Sequence, residues 1–143
     1  MFNRILVVCV GNICRSPMAE ALFKQALAGR NVSVSSAGLG ALAGHGIEPQ
    51  AQAVLEAHGL DASGHRARQI IPAMVRGADL VLVMEEWQRT EVAGLDPTAR
   101  GKIHLLGRWG EFEIDDPYRQ SDEQFKRTYD AIVRGVTEWT TRL

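Results

Sequence analysis

The chain has 143 residues, of which 45% are hydrophobic and 23% charged, with a formal net charge of −1 at pH 7. That is the length of about one domain with ordinary globular composition, so a stable core needs neither disulfides nor a structural metal. Near-neutrality excludes an overall basic field aimed at nucleic acid or an anionic membrane, and any anion binding must be local.

The residues Met1-Phe2-Asn3-Arg4 lead into a first apolar run, Arg4–Val10 (RILVVCV), read as a buried strand. The run is too short for a signal-peptide core, and Gly11-Asn12 and then Arg15 interrupt the apolar character beyond it. A helix is predicted over Ser16–Ala28, where Met18, Ala19, Leu22, Phe23, Ala26 and Leu27 share one face and Gly29 closes the segment. Val32–Ser36 reads as the second strand. A helix follows over Pro49–His58, with Pro early and Gly59 after its end. A short helical turn is expected at Pro72–Arg76, a third strand at Asp79–Met84, a helix at Glu85–Ala93 and a fourth strand at Lys102–Leu106. The last helix is the most strongly patterned. Ser121 and Gln124 have the spacing of a capping box, and Phe125, Tyr129, Ile132, Val136 and Trp139 recur at steps of three and four. Its Lys126, Arg127, Asp130 and Arg134 read as solvated surface.

Strands alternating with helices imply parallel pairing covered on both faces. The expected fold is therefore α/β: one domain over residues 1–143, a three-layer, doubly wound, four-stranded parallel sheet. No stretch approaches the roughly 20 apolar residues of a membrane span. The two cysteines, Cys9 and Cys14, are too few and too close for a secreted disulfide framework, so the cytoplasm is the expected location. No His/Asp/Glu cluster has ligand spacing, and neither metal nor cofactor is expected.

Ligands of such sheets bind beyond the carboxyl ends of the strands, where strand order reverses. That directs attention to Cys9-Val10-Gly11-Asn12-Ile13-Cys14-Arg15-Ser16-Pro17. Ser16 is suited to an N-cap and Pro17 to the first helical position. The residues before them then make a tight strand-to-helix loop whose amides converge on an anion at the positive helix end. Gly11 permits backbone angles that a Cβ forbids, and Asn12 tolerates left-handed geometry. Arg15 supplies a planar fork for two phosphate oxygens, and the donors that hold phosphate also favour a thiolate at Cys9. A Walker loop is excluded because Gly-Lys-Ser/Thr is missing, and a dinucleotide fingerprint because the loop has one glycine.

The stretch CVGNICRSP resembles the phosphate-binding loop of the low-molecular-weight protein tyrosine phosphatases. The likeness continues through Ser35-Ser36-Ala37-Gly38, His65-Arg66-Ala67-Arg68-Gln69 and Asp116-Pro117-Tyr118, in the family's order. With SAGLGAL after the second strand, it is most similar to the bacterial branch linked to exopolysaccharide export, whose members dephosphorylate tyrosine autokinases. The resemblance implies a phosphotyrosine protein as substrate, a tyrosine autokinase as partner, and Cys9 as nucleophile through a phosphocysteine. Residues 10–16 then cradle the phosphate.

An acid is needed for the leaving oxygen, and the late loop Glu111–Tyr118 is the place to look. Pro117 holds Asp116 extended, and the charge of Asp115 disfavours a second one beside it, keeping a proton available. The family's Asp-Pro assigns the general acid to Asp116; Asp115 stands where relatives often have Pro. Also by resemblance, Asn12, Ser36 and His65 form a network shaping the loop, Ser16 donates to the Cys9 sulfur, and Tyr118 walls the substrate slot with Leu39 or Leu42 opposite. Where many relatives have a second aromatic, this chain has Arg119. Cys14 reads either as a trap that captures an oxidised Cys9 as a disulfide or as a small buried side chain. An arsenate reductase would need further cysteines downstream, and none follows Cys14. A phosphocysteine carrier would need no Asp116, and a phosphotyrosine-binding module no Cys9.

Overall fold

The computed structural model describes residues 2–143; Met1, where the expected domain begins, lies outside them. Four strands, β1 (Arg4–Cys9), β2 (Ser33–Gly38), β3 (Leu80–Val83) and β4 (Ile103–Leu105), form one sheet in the order β2-β1-β3-β4. Every pairing is parallel, with Cys9 opposite Gly38, Val8 opposite Val83 and Val83 opposite Leu105. The helices are α1 (Arg15–Ala26), α2 (Pro49–Ala57), α3 (Pro72–Gly77), α4 (Glu86–Leu95) and α5 (Asp122–Thr140). The expected α/β class and strand number hold, and boundaries move by one or two residues.

Alternation along the central strands separates two cores. Ile5, Val7 and Cys9 of β1 join Leu80 and Leu82 of β3 against Met18, Phe23, Phe125 and Ile132. Leu6 and Val8 with Val81 and Val83 face the other way, onto Val75 and Val92. Helices α1, α2 and α5 therefore cover one face and α3 and α4 the other. Both faces of β1 and β3 are dry, which is why those strands read as unbroken apolar runs.

The helix ends show how sequence signals are used. Pro49 and Gly59 bracket α2 as expected, with Gly59 at φ +76°. Ser121 caps α5 by accepting from the Gln124 amide at 3.1 Å. The start of α1 corrects the expectation. Cys14 is its N-cap residue and Ser16 lies inside the first turn, so Ser16 is no cap. Its hydroxyl is turned away from the helix amides, toward Cys9 and Asn12. Among the described residues no helix is long and apolar enough to cross a membrane.

The connections place the site. From β1 the chain passes through α1 to β2 on one side, and from β2 it crosses over to β3 on the other. The reversal lies between β1 and β3, and the loops leaving these two strands open a crevice there.

Two consequences are measurable. A Cβ on Gly135 of α5 would come within 2.8 Å of the Leu106 Cγ and 2.9 Å of its carbonyl oxygen. Overpacking against backbone costs about 1–3 kcal/mol, more than the gain of about 1 kcal/mol from alanine's helix propensity. Gly135→Ala is therefore expected to lower the urea midpoint, and a raised midpoint would refute the packing. Asp79 ties down the start of β1, its Oδ2 accepting from the amides of Asn3 at 2.8 Å and Arg4 at 2.9 Å. Those bonds hold its carboxyl below the usual range, the Asn3 amide first. A depressed folded-state value adds stability above the unfolded value and loses it as pH falls through the folded one. The stability gap between wild type and Asp79→Ala should be full above about pH 4 and narrow below it; a gap that widens in acid would contradict this.

Candidate active site

Residues 9–15 connect the end of β1 to α1, and the direction of their carbonyls defines the loop. The Cys9 carbonyl accepts from Leu39 N at 3.0 Å, Val10 from Gly40 N at 3.0 Å and Gly11 from Leu42 N at 3.1 Å. The Asn12 carbonyl accepts from His65 Nε2 at 2.6 Å, Ile13 from Glu48 N at 2.9 Å and Cys14 from Met18 N at 3.2 Å. Each of these carbonyls is thus drawn to a donor outside the loop. The amides of Gly11, Asn12, Ile13 and Cys14 have no protein partner among the described residues. Successive amides left free in this way form an anion-binding concavity.

Asn12 sets the curvature. It is fully buried with φ +59°, in the left-handed region. Its Nδ2 donates to Ser16 Oγ at 2.7 Å and Ser36 Oγ at 3.0 Å, and its Oδ1 accepts from the Arg68 amide at 2.9 Å. Every polar atom of the side chain is used, which suits a buried amide. Gly11 does not play the part expected of it. Its φ is not left-handed, and a Cβ there would meet Ile13 Cγ1 at an ordinary 3.6 Å. The positive φ falls at Asn12, the residue expected to tolerate it, and side-chain bonds hold it there. Gly38 is the glycine that the loop requires, since a Cβ there would run into the Val10 carbonyl and Asn12.

Cys9 is 2% exposed, at the floor of a cavity of about 190 Å³. Its Sγ is 2.9 Å from Ser16 Oγ. Since that oxygen already accepts from Asn12, its proton is free to point at the sulfur. Arg15 is 1% exposed and lines the same cavity. Its Nη1 donates to Ile114 O at 2.8 Å and forms an ion pair with Glu85. Asp116 stands at the mouth, its side chain 46% exposed and Oδ2 3.8 Å from Arg15 Nη2. Its Oδ1 accepts from the Tyr118 amide at 3.0 Å, which fixes the turn carrying the tyrosine.

The cavity is lined by Cys9, Val10, Gly11, Ile13, Cys14, Arg15, Gly40, Leu42, Asp116 and Tyr118. Asn12 and Ser16 lie behind it, with Ser36 and His65 in the supporting network. Of the two leucines considered for the wall, Leu42 lines the cavity and Leu39 packs into the α3/α4-side core. Asp115 is exposed and does not line the cavity. Arg119 lies over the Tyr118 ring, 5.3 Å from its centroid. Cys14 is buried, and that burial, followed by the charge of Cys9, pushes its thiol well above the usual range.

Several partners had escaped sequence reasoning. Glu20 accepts from Ser36 Oγ, and Arg68 Nε donates to Ser36 O at 2.8 Å. Glu85, which begins the predicted fourth helix, gave no sign that it would reach Arg15. Larger hollows exist, one of about 540 Å³ beside α4 and one of about 400 Å³ behind the loop. Neither gathers a thiol, a guanidinium and a carboxyl. Among the described residues no group of three or more His, Cys, Asp or Glu is placed to hold a metal ion.

A family model described as "Low molecular weight phosphotyrosine protein phosphatase" matches residues 4–143. The chain is 48% identical over 143 residues to the "Probable low molecular weight protein-tyrosine-phosphatase EpsP" of Ralstonia solanacearum, covering 100% of this chain and 97% of the relative. To "Low molecular weight protein-tyrosine-phosphatase Wzb" of Escherichia coli K12 it is 46% identical over 144 residues, again covering 100% and 97%. The solved structure of Vibrio vulnificus Wzb in complex with benzylphosphonate superposes with a TM-score of 0.95 at 39% identity, covering both chains fully. Matched from residue 4 onward and close to half identical to full-length relatives, the chain belongs to the low molecular weight phosphotyrosine protein phosphatase family.

Proposed function

We propose that this chain hydrolyses phosphotyrosine in proteins through a phosphocysteine at Cys9, with Arg15 holding the phosphate and Asp116 as general acid and then base. One observation carries the reading. A buried sulfur, a guanidinium and a ring of unpartnered amides surround one small cavity with a carboxyl at its mouth.

The chemistry is set by this placement. The Cys9 thiolate attacks phosphorus in line, forming the S–P bond as the bond to the tyrosine oxygen breaks. Arg15 and the amides of residues 11–14 meet the charge spread over the equatorial oxygens. Asp116 gives its proton to the departing phenolate. It then takes a proton from water as the water oxygen attacks phosphorus, and the electron pair of the S–P bond returns to sulfur. Ser16 steadies that returning charge. A deep thiol with Tyr118 and Leu42 at the rim suits a long, flat aryl ester better than the short phosphoserine side chain. The Vibrio relative binds benzylphosphonate, a phosphonate carried on an arylmethyl group.

The physiological substrate proposed is a bacterial tyrosine autokinase acting in exopolysaccharide production, in the cytoplasm. The reading is supported by resemblance to the EpsP and Wzb phosphatases and by a reactive thiol that needs reducing conditions. A phosphocarrier would have no use for a carboxyl at the cavity mouth, and a binding module none for the buried sulfur.

The decisive experiment compares wild type, Cys9→Ser and Asp116→Asn on aryl phosphates near pH 6 with chelator present. Cys9→Ser should fall to background. Asp116→Asn should lose about 10²–10⁴-fold in kcat, more on phenyl phosphate than on p-nitrophenyl phosphate, whose leaving group needs its proton less. An equal loss on both esters would remove Asp116 from the acid role. No turnover by folded wild type would end the enzyme reading. For the substrate, autokinase phosphorylated on tyrosine should be dephosphorylated at least tenfold faster in kcat/KM than a phosphoserine peptide, a gap of about 1.4 kcal/mol; parity would refute the specificity.

A further inference from the structure

Arg15 has five N–H donors, and two of them leave from Nη1, to Glu85 Oε1 and to Ile114 O. At 3.8 Å the approach of Nη2 to Asp116 is too long for a hydrogen bond. Nη2 and Nε have no hydrogen-bond partner among the described residues, and the residue lines the cavity. The Nε/Nη2 edge is therefore the one left for two phosphate oxygens.

The second oxygen of Glu85, the residue that caps the start of α4, is engaged as well. Its Oε2 accepts from the indole N–H of Trp87 at 2.6 Å. Trp87 lies in the first turn of α4 and is 49% exposed, an unusual position for a large aromatic. A carboxylate with both oxygens free pairs most strongly with a guanidinium fork to fork, through two parallel N–H···O bonds. Such a pairing would draw Nη2 toward Glu85 and away from the phosphate.

We infer that Trp87 is a positioning residue for the phosphate site: by occupying Glu85 Oε2 it limits Glu85 to a single bond with Arg15 and leaves the Nε/Nη2 edge for the substrate. The inference rests on Arg15 as the phosphate-holding group. It assigns a role to a surface tryptophan outside the loop and outside the cavity wall, acting through a carboxylate.

The test is the affinity for inorganic phosphate, measured by titration calorimetry so that it does not depend on turnover. Trp87→Phe keeps the ring and removes the donor, and it should weaken phosphate binding roughly three- to tenfold, with kcat/KM falling by a similar factor and the urea midpoint unchanged. In a Glu85→Gln background the carboxylate restrained by Trp87 is gone, so adding Trp87→Phe should change phosphate affinity less than about twofold. In the wild type, saturating phosphate should shift tryptophan emission, and the shift should vanish in Trp87→Phe although Trp109 and Trp139 remain. Wild-type phosphate affinity in folded Trp87→Phe would overturn the inference. So would a loss that persists undiminished beside Glu85→Gln. Failure of the wild type itself to bind phosphate would instead strike down the reading of the cavity, and the inference with it.

Discussion

The structure turns on the left-handed backbone of Asn12. A residue other than glycine in that region costs about 1–3 kcal/mol. Here three side-chain hydrogen bonds and one to the carbonyl, each worth about 0.5–1.5 kcal/mol net, offset it. Once Asn12 is fixed, the loop has one way to run between β1 and α1. Its carbonyls reach outward to amides of residues 39, 40, 42 and 48, and its own amides face the cavity. An anion-binding concavity built from backbone dipoles needs no net positive charge on the protein, so it is compatible with a chain of net charge −1.

That arrangement depends on the sheet. Cys9 is the last residue of β1 and pairs with Gly38 at the end of β2. Without a side chain at Gly38 the Val10 carbonyl and Asn12 come down onto β2. On the other side of β1, the chain leaving β3 supplies Glu85, while Ile114 donates its amide to the Met84 carbonyl and turns its own carbonyl to Arg15. The crevice at the strand-order reversal thus gathers groups far apart in sequence onto one guanidinium. An arginine buried to this degree is tolerated because a carboxylate and a carbonyl satisfy both donors of its Nη1.

The fold was legible because its signals are local. Continuous apolar strands, Pro49 with Gly59, and the three-four spacing of α5 each state their element within a short stretch of chain. The loop was legible for the same reason, since Cys9, Arg15 and Ser16 lie within one short segment. Reading stopped where contacts join distant segments. Ser16 has the chemistry of a cap, yet two buried partners take its hydroxyl from the helix amides. The left-handed geometry that Asn12 was expected to tolerate is found there, but Gly11 does not share it, and Ser36 and Arg68, which hold Asn12, come from distant segments. Leu39 and Leu42 are alike in sequence, and only the fold shows that the first packs into the α3/α4-side core and the second lines the cavity. Glu85 looked like any acidic residue at a helix start, where the macrodipole alone would explain it.

The two thiols illustrate how one loop makes unlike sites from the same side chain. Cys9 lies where the cavity opens and accepts a hydroxyl proton from Ser16, itself oriented by Asn12. Cys14 lies at the helix N-cap position, where a positive dipole would by itself favour a thiolate. Burial works against that, the nearby charges of Cys9, Asp116 and Glu48 add to it, and Arg15 opposes them only in part, so the Cys14 thiol keeps its proton. Desolvation outweighs the helix end at one sulfur, and a specific donor serves the other. The loop therefore places one sulfur in the cavity beside a hydroxyl donor and keeps the second as a neutral wall.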